Sequence, residues 1–76
     1  MRGYDACAVL FQGAPIRRSL WEDKSQRWWY DPETGNVLES RGEERGKTVP
    51  WPVVIRLLFI EPQTDSDWVM SFYKEG

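Results

Sequence analysis

The run Arg27-Trp28-Trp29-Tyr30-Asp31-Pro32-Glu33-Thr34-Gly35-Asn36-Val37-Leu38-Glu39 decides the fold. Arg27 to Tyr30 is rich in aromatic residues and favours a strand. In Asp31-Pro32-Glu33-Thr34-Gly35 the proline presets φ and the glycine supplies a positive φ, so the chain turns there. Asn36 to Glu39 then returns as the second arm of an antiparallel hairpin. Side chains alternate along a strand, so Trp28 and Trp29 point to opposite faces of the sheet.

On the N-terminal side, Tyr4, Cys7, Leu10 and Phe11 recur at spacings of three and four, which predicts a short helix over 4–12. Asp5 in its first turn suits the helix dipole. Gly13 supplies a stop, and Pro15 prevents continuation. Ile16 to Trp21 alternates imperfectly and reads as a strand, with Ile16, Arg18 and Leu20 on one face. Glu22 to Gln26 is polar and reads as a turn.

On the C-terminal side, Ser40 to Lys47 reads as a charged loop with glycines at 42 and 46. Pro50 and Pro52 bracket Trp51 and exclude a regular central strand there. Val53 to Ile60 is aliphatic and β-branched, which predicts a buried strand, with a short helix as the alternative. Pro62 to Ser66 turns the chain. Asp67 to Tyr73 reads as a final strand with Trp68, Met70 and Phe72 on one face. The expectation is one α+β domain over 1–76: a short N-terminal helix packed on an antiparallel sheet of four to five strands.

Composition bounds the function. The chain has 76 residues, 10 basic and 12 acidic, and a net charge of -2, which opposes broad binding to a nucleic-acid backbone. The apolar run 53–60 is broken by Arg56 and is too short to span a bilayer. No signal-peptide pattern opens the chain. A single cysteine, Cys7, makes no internal disulfide, and without histidine the usual zinc ligands are missing. The expected setting is a reducing cytoplasm, with no membrane, no metal and no cofactor. One core of this size leaves only about 3–5 kcal/mol of net stability, which points to a homo-oligomer.

Catalysis is poorly supplied. Without histidine there is no Ser-His-Asp or Cys-His arrangement. Cys7 lies on the apolar side of the expected helix and reads as a structural thiol. The acids read as solvated surface, and no phosphate-cradling glycine loop follows a strand. Binding is better supplied. Five tryptophans are many for this length, and an indole stacks on a base. Arg17 and Arg18 stand near Trp21, where a guanidinium could hold a phosphate beside a stacked ring. Each Trp has the competing role of filling the core or an interface.

Two segments carry a more specific resemblance. Tyr4 to Trp21 presents an aromatic, Asp5-Ala6, Leu10, Gly13, Ile16, Arg18 and Trp21, and the chain closes on Asp67-Trp68-Val69. In order and position these resemble the small phage proteins of the second anti-Thoeris type, with their N-terminal helix ending in Gly, Arg-x-x-Trp strand and closing Asp-Trp strand. Glu22-Asp23 stand where that family usually has Asn and Gly, and the middle of the chain is unmatched. The resemblance implies a helix against an antiparallel sheet, a homotetramer built from two dimers, and no chemistry. It implies sequestration of a cyclic ADP-ribose isomer, made by a host TIR-domain enzyme, in pockets shared between protomers inside the bacterial host cell. Trp21 and Arg18 would then be the first ligand-binding residues, with Tyr4 and Asp67 behind them.

Two other readings compete. A small inhibitor could bind a host protein directly through exposed aromatics, with Glu43-Glu44 as a further anchor. A single-strand nucleic-acid binder on an open sheet is opposed by the negative charge.

Overall fold

The structure is a computed structural model and describes residues 1–72. In chain order it contains α1 (Gly3–Phe11), β1 (Ile16–Arg18), β2 (Arg27–Asp31), β3 (Asn36–Arg41), β4 (Glu44–Val49), α2 (Trp51–Ile55), a π-helical turn (Arg56–Ile60) and β5 (Trp68–Met70). The five strands form one sheet in the order β4-β3-β2-β1-β5, and every neighbouring pair is antiparallel. A small α+β fold results.

The β2–β3 hairpin forms as its turn residues dictate. Asp31 faces Asn36, and the Gly35 amide closes the turn on the Asp31 carbonyl at 2.8 Å. The Asp31 carboxylate accepts the Glu33 amide at 3.0 Å and the Thr34 hydroxyl at 2.9 Å. Gly35 sits at φ 73°, where a side chain would be strained. Trp28 is sealed in the core, while Trp29 lies half-buried on the other face over Gly46.

Residues 40–47 are not a loop. β3 runs on to Arg41, Gly42-Glu43 make a tight turn with Gly42 at φ 56°, and β4 returns from Glu44. Charge disguised this strand: β4 is an edge, and edge strands carry charges that discourage pairing with other chains.

Residues 53–60 are helical, not a buried strand. Prolines fit the first turn of a helix, where an amide has no partner to lose, and the Val53 and Val54 amides both reach the Pro50 carbonyl. Val54 and Leu58 are buried, Val53 and Leu57 half-buried, and Arg56 exposed. That is a helix period; in a strand, Arg56 would share a face with Val54 and Leu58.

The core gathers Ala6, Leu10, Ile16, Trp28, Val37, Val49, Val54, Leu58 and Trp68 between the sheet and the helices. On α1 the buried side is Gly3, Ala6 and Leu10, not the aromatics. Small residues let α1 lie close to the π turn, which leaves Tyr4 and Phe11 at the rim. The strand expected over 16–21 ends at Arg18, and Leu20 is exposed. The final strand spans only Trp68–Met70; Phe72 is exposed, and Tyr73 lies outside the described residues. Among the described residues no helix is long and apolar enough to cross a membrane.

Candidate functional site

Two of the expected binding residues meet around a third side chain. The register sets Arg18 of β1 opposite Trp68 of β5, and the Arg18 guanidinium lies 5.6 Å from the Trp68 ring centroid. One Arg18 nitrogen donates to Glu61 Oε1 at 3.0 Å, and the other stands 3.7 Å from Asp67 Oδ2. The Arg18 side chain is only 8% exposed, so this cation is held inside the protomer by two carboxylates and an indole.

Asp67 serves two structures at once. Its carboxylate accepts the Thr64 amide at 2.9 Å and the Thr64 hydroxyl at 3.0 Å, which fixes the turn before β5. Those bonds, the amide foremost, with Arg18 beside them, hold the Asp67 carboxyl below its ordinary pKa.

Trp21 packs inward. Its ring lies 5.7 Å from Trp28 and 5.8 Å from Trp68, and those two stand 5.5 Å apart, so three indoles form one cluster. Trp21 is half-buried there and touches the site through Trp68, whose ring carries Arg18. Trp68 Nε1 and Arg18 Nε are both buried donors without a hydrogen-bond partner.

Tyr4 is placed differently. It is 81% exposed and meets Phe59 edge-on at 5.3 Å. Beside it lies a cleft of about 160 Å³ between the start of α1 and the π turn, lined by Gly3, Tyr4, Leu58, Phe59, Glu61 and Gln63, with Arg2 at its side. Glu61 therefore joins the two places: it lines the Tyr4 cleft and pairs with Arg18. The π turn positions it, closing where the Glu61 amide reaches the Arg56 carbonyl at 2.9 Å. Its second oxygen stands 3.6 Å from Arg56.

Hydrogen bonds tie the base of the cleft together. The Gly3 amide donates to Gln63 Oε1, and Gln63 Nε2 donates to the carbonyls of Leu57 and Leu58. A Cβ at Gly3 would stand 1.5 Å from the Leu58 oxygen, so only glycine fits. At the mouth, Arg2 pairs with Asp65 at 2.6 Å, with both side chains well exposed.

The sequence reading missed Glu61, Gln63, Phe59 and Trp68 as site residues. Trp68 was in reach, since it adjoins Asp67 in the closing motif. Glu61 and Gln63 had no signal, because only the π turn brings them back onto α1. Cys7 is half-buried, and burial pushes its thiol pKa up. Among the described residues no three cysteine, aspartate or glutamate side chains gather as a metal site. Comparison with protein-family models, curated proteins and solved structures finds no match to this chain.

Proposed function

We propose that this chain captures a small anionic nucleotide, of the cyclic ADP-ribose isomer class, and holds it without cleaving it, so that a phage carrying it silences a host immune signal in the cytoplasm. The observation that carries the reading is the Tyr4 ring, largely free in solvent at the edge of a preformed cleft. An exposed aromatic face beside a hydrogen-bonded backbone floor suits a stacked base. Arg2 is the cation that suits a phosphate. Its pair with Asp65 lies in solvent, where an ion pair contributes little, so that carboxylate can exchange for a phosphate oxygen. Arg18 then acts from behind by holding Glu61 in the wall of the cleft, with Asp67 beside Arg18 and Trp21 packed on Trp68.

At about 160 Å³ the cleft is smaller than the roughly 300–1,000 Å³ of a site enclosing a drug-sized ligand. A second copy closing over Tyr4 would supply the missing wall. The test is calorimetric titration with a cyclic ADP-ribose isomer, followed by chromatography of the ligand released on denaturation. Submicromolar binding of intact ligand, lost in Tyr4→Ala at unchanged thermal stability, is the expected result. Unchanged affinity in Tyr4→Ala removes the cleft from the account.

A further inference from the structure

Among the described residues one acid, Glu61, lines the Tyr4 cleft. Beside a site for an anionic ligand a carboxylate needs an explanation, because it repels a phosphate. Its hydrogen bonds suggest one. Glu61 Oε1 accepts from the buried Arg18 guanidinium at 3.0 Å, so a partner inside the protomer positions the carboxylate. Arg56 stands 3.6 Å from Oε2, beyond hydrogen-bond distance, and its side chain is exposed. Part of the Glu61 side chain lies in solvent, and an ionised carboxylate has lone pairs for several donors, so Oε2 keeps acceptor capacity for a ligand. The polar side chain in the base of the cleft is already spent. Gln63 takes the Gly3 amide on Oε1 and gives Nε2 to the carbonyls of Leu57 and Leu58. Arg2, at the mouth, can only donate.

We infer that Glu61 reads the sugar of the captured nucleotide: its carboxylate accepts from the ribose hydroxyls, so the cleft selects a ribose over its deoxy counterpart. The inference rests on the capture reading above. What a nucleotide offers a carboxylate is hydroxyl hydrogens, since its phosphates are acceptors of the same charge. Neighbouring ribose hydroxyls present two donors, and one carboxylate can accept both. Hydrogen bonds to an ionised acceptor are also the strong ones. An order of groups along the cleft follows, with the base on Tyr4, the sugar on Glu61 and the phosphate at Arg2, drawn there by one charge and kept from the wall by the other. An analogue that lacks the hydroxyl leaves a Glu61 oxygen stripped of water with nothing to accept from, which is how a polar site rejects a near-identical ligand.

The test is calorimetric titration of the full chain with a cyclic ADP-ribose isomer and with analogues that each lack one free ribose hydroxyl. At least one analogue should bind wild type about 10–100-fold more weakly than the parent ligand, the scale of a hydrogen bond to a charged group. Glu61→Gln, checked for folding by circular dichroism, should bind the parent more weakly and bring that analogue within about threefold of it. Arg18 then claims the amide oxygen, and the amino group left over cannot accept. Arg56→Ala removes only the exposed partner and should discriminate as wild type does. The comparison of ligands on wild type decides the matter even where Glu61→Gln fails to fold. If every analogue binds wild type within about threefold of the parent, the inference is overturned and capture stands. A folded Glu61→Gln that keeps the full discrimination also overturns it, since another group then reads the sugar. No binding of the parent ligand removes the capture reading and this inference with it.

Discussion

Arg18 and Arg2 differ in what it takes to redirect them. Arg18 is buried against Trp68 with Glu61 and Asp67 as partners, and pulling it away would leave those charges uncompensated. Arg2 sits in solvent with one exposed carboxylate. The sequence shows both as arginines, and the resemblance draws attention to the one inside the Arg-x-x-Trp motif. Burial, which assigns Arg18 to the wall and Arg2 to the mouth, depends on contacts 43 and 63 residues away along the chain. Asp67 gives a pH signature. Its folded pKa is depressed, so its contribution is complete above the unfolded carboxyl value of about 3.9 and is lost as pH falls through the lower folded value. Asp67→Asn should therefore melt lower at neutral pH and lose less on acidification below about pH 4 than wild type does. Thermal melts across that range check it; parallel curves would show that Asp67 is not linked to folding. Gly3→Ala should cost about 3 kcal/mol or more, because the methyl meets the Leu58 carbonyl oxygen and backbone must move. Urea denaturation reads this directly.

Elements whose local chemistry is decisive are legible in the sequence. Asp31-Pro32-Glu33-Thr34-Gly35 makes its own turn whatever surrounds it, and Gly13 at φ 100° ends α1 as expected. Where tertiary position overrides propensity, the favoured strand gives way to the helix held as its alternative. Val53 to Ile60 has strand-like composition, yet Pro50-Trp51-Pro52 starts a helix and the buried positions fall four apart. Leu58→Ala tests this. As a fully enclosed side chain facing the core it should cost about 2–5 kcal/mol, whereas the exposed Ile60→Ala should be close to neutral. Equal costs at 58 and 60 would contradict the helical face. β4 was hidden for a different reason. Its charges serve the sheet edge, and the cue that remained was Gly42, the turn residue needed at φ 56°. Gly42→Ala should destabilise by about 1 kcal/mol through that backbone strain.

For the whole molecule, one small core supports a five-stranded sheet on one side and two short helices on the other. The α+β layout was legible in the sequence, since one strong hairpin and one Gly-stopped helix leave few ways to arrange the rest. Of the four expected residues, Arg18 pairs with Asp67, Trp21 reaches Arg18 only through Trp68, and Tyr4 is joined to Arg18 by Glu61, which a π turn with no distinct pattern in the residues aims. The proposed capture requires that the cleft beside Tyr4 hold a nucleotide and return it intact. Titrating the purified protein with a cyclic ADP-ribose isomer, and analysing the ligand recovered after denaturation, tests it most directly. Submicromolar saturable binding with the ligand returned intact is the predicted result; no binding at high micromolar ligand, or recovery of hydrolysed ligand, would contradict it.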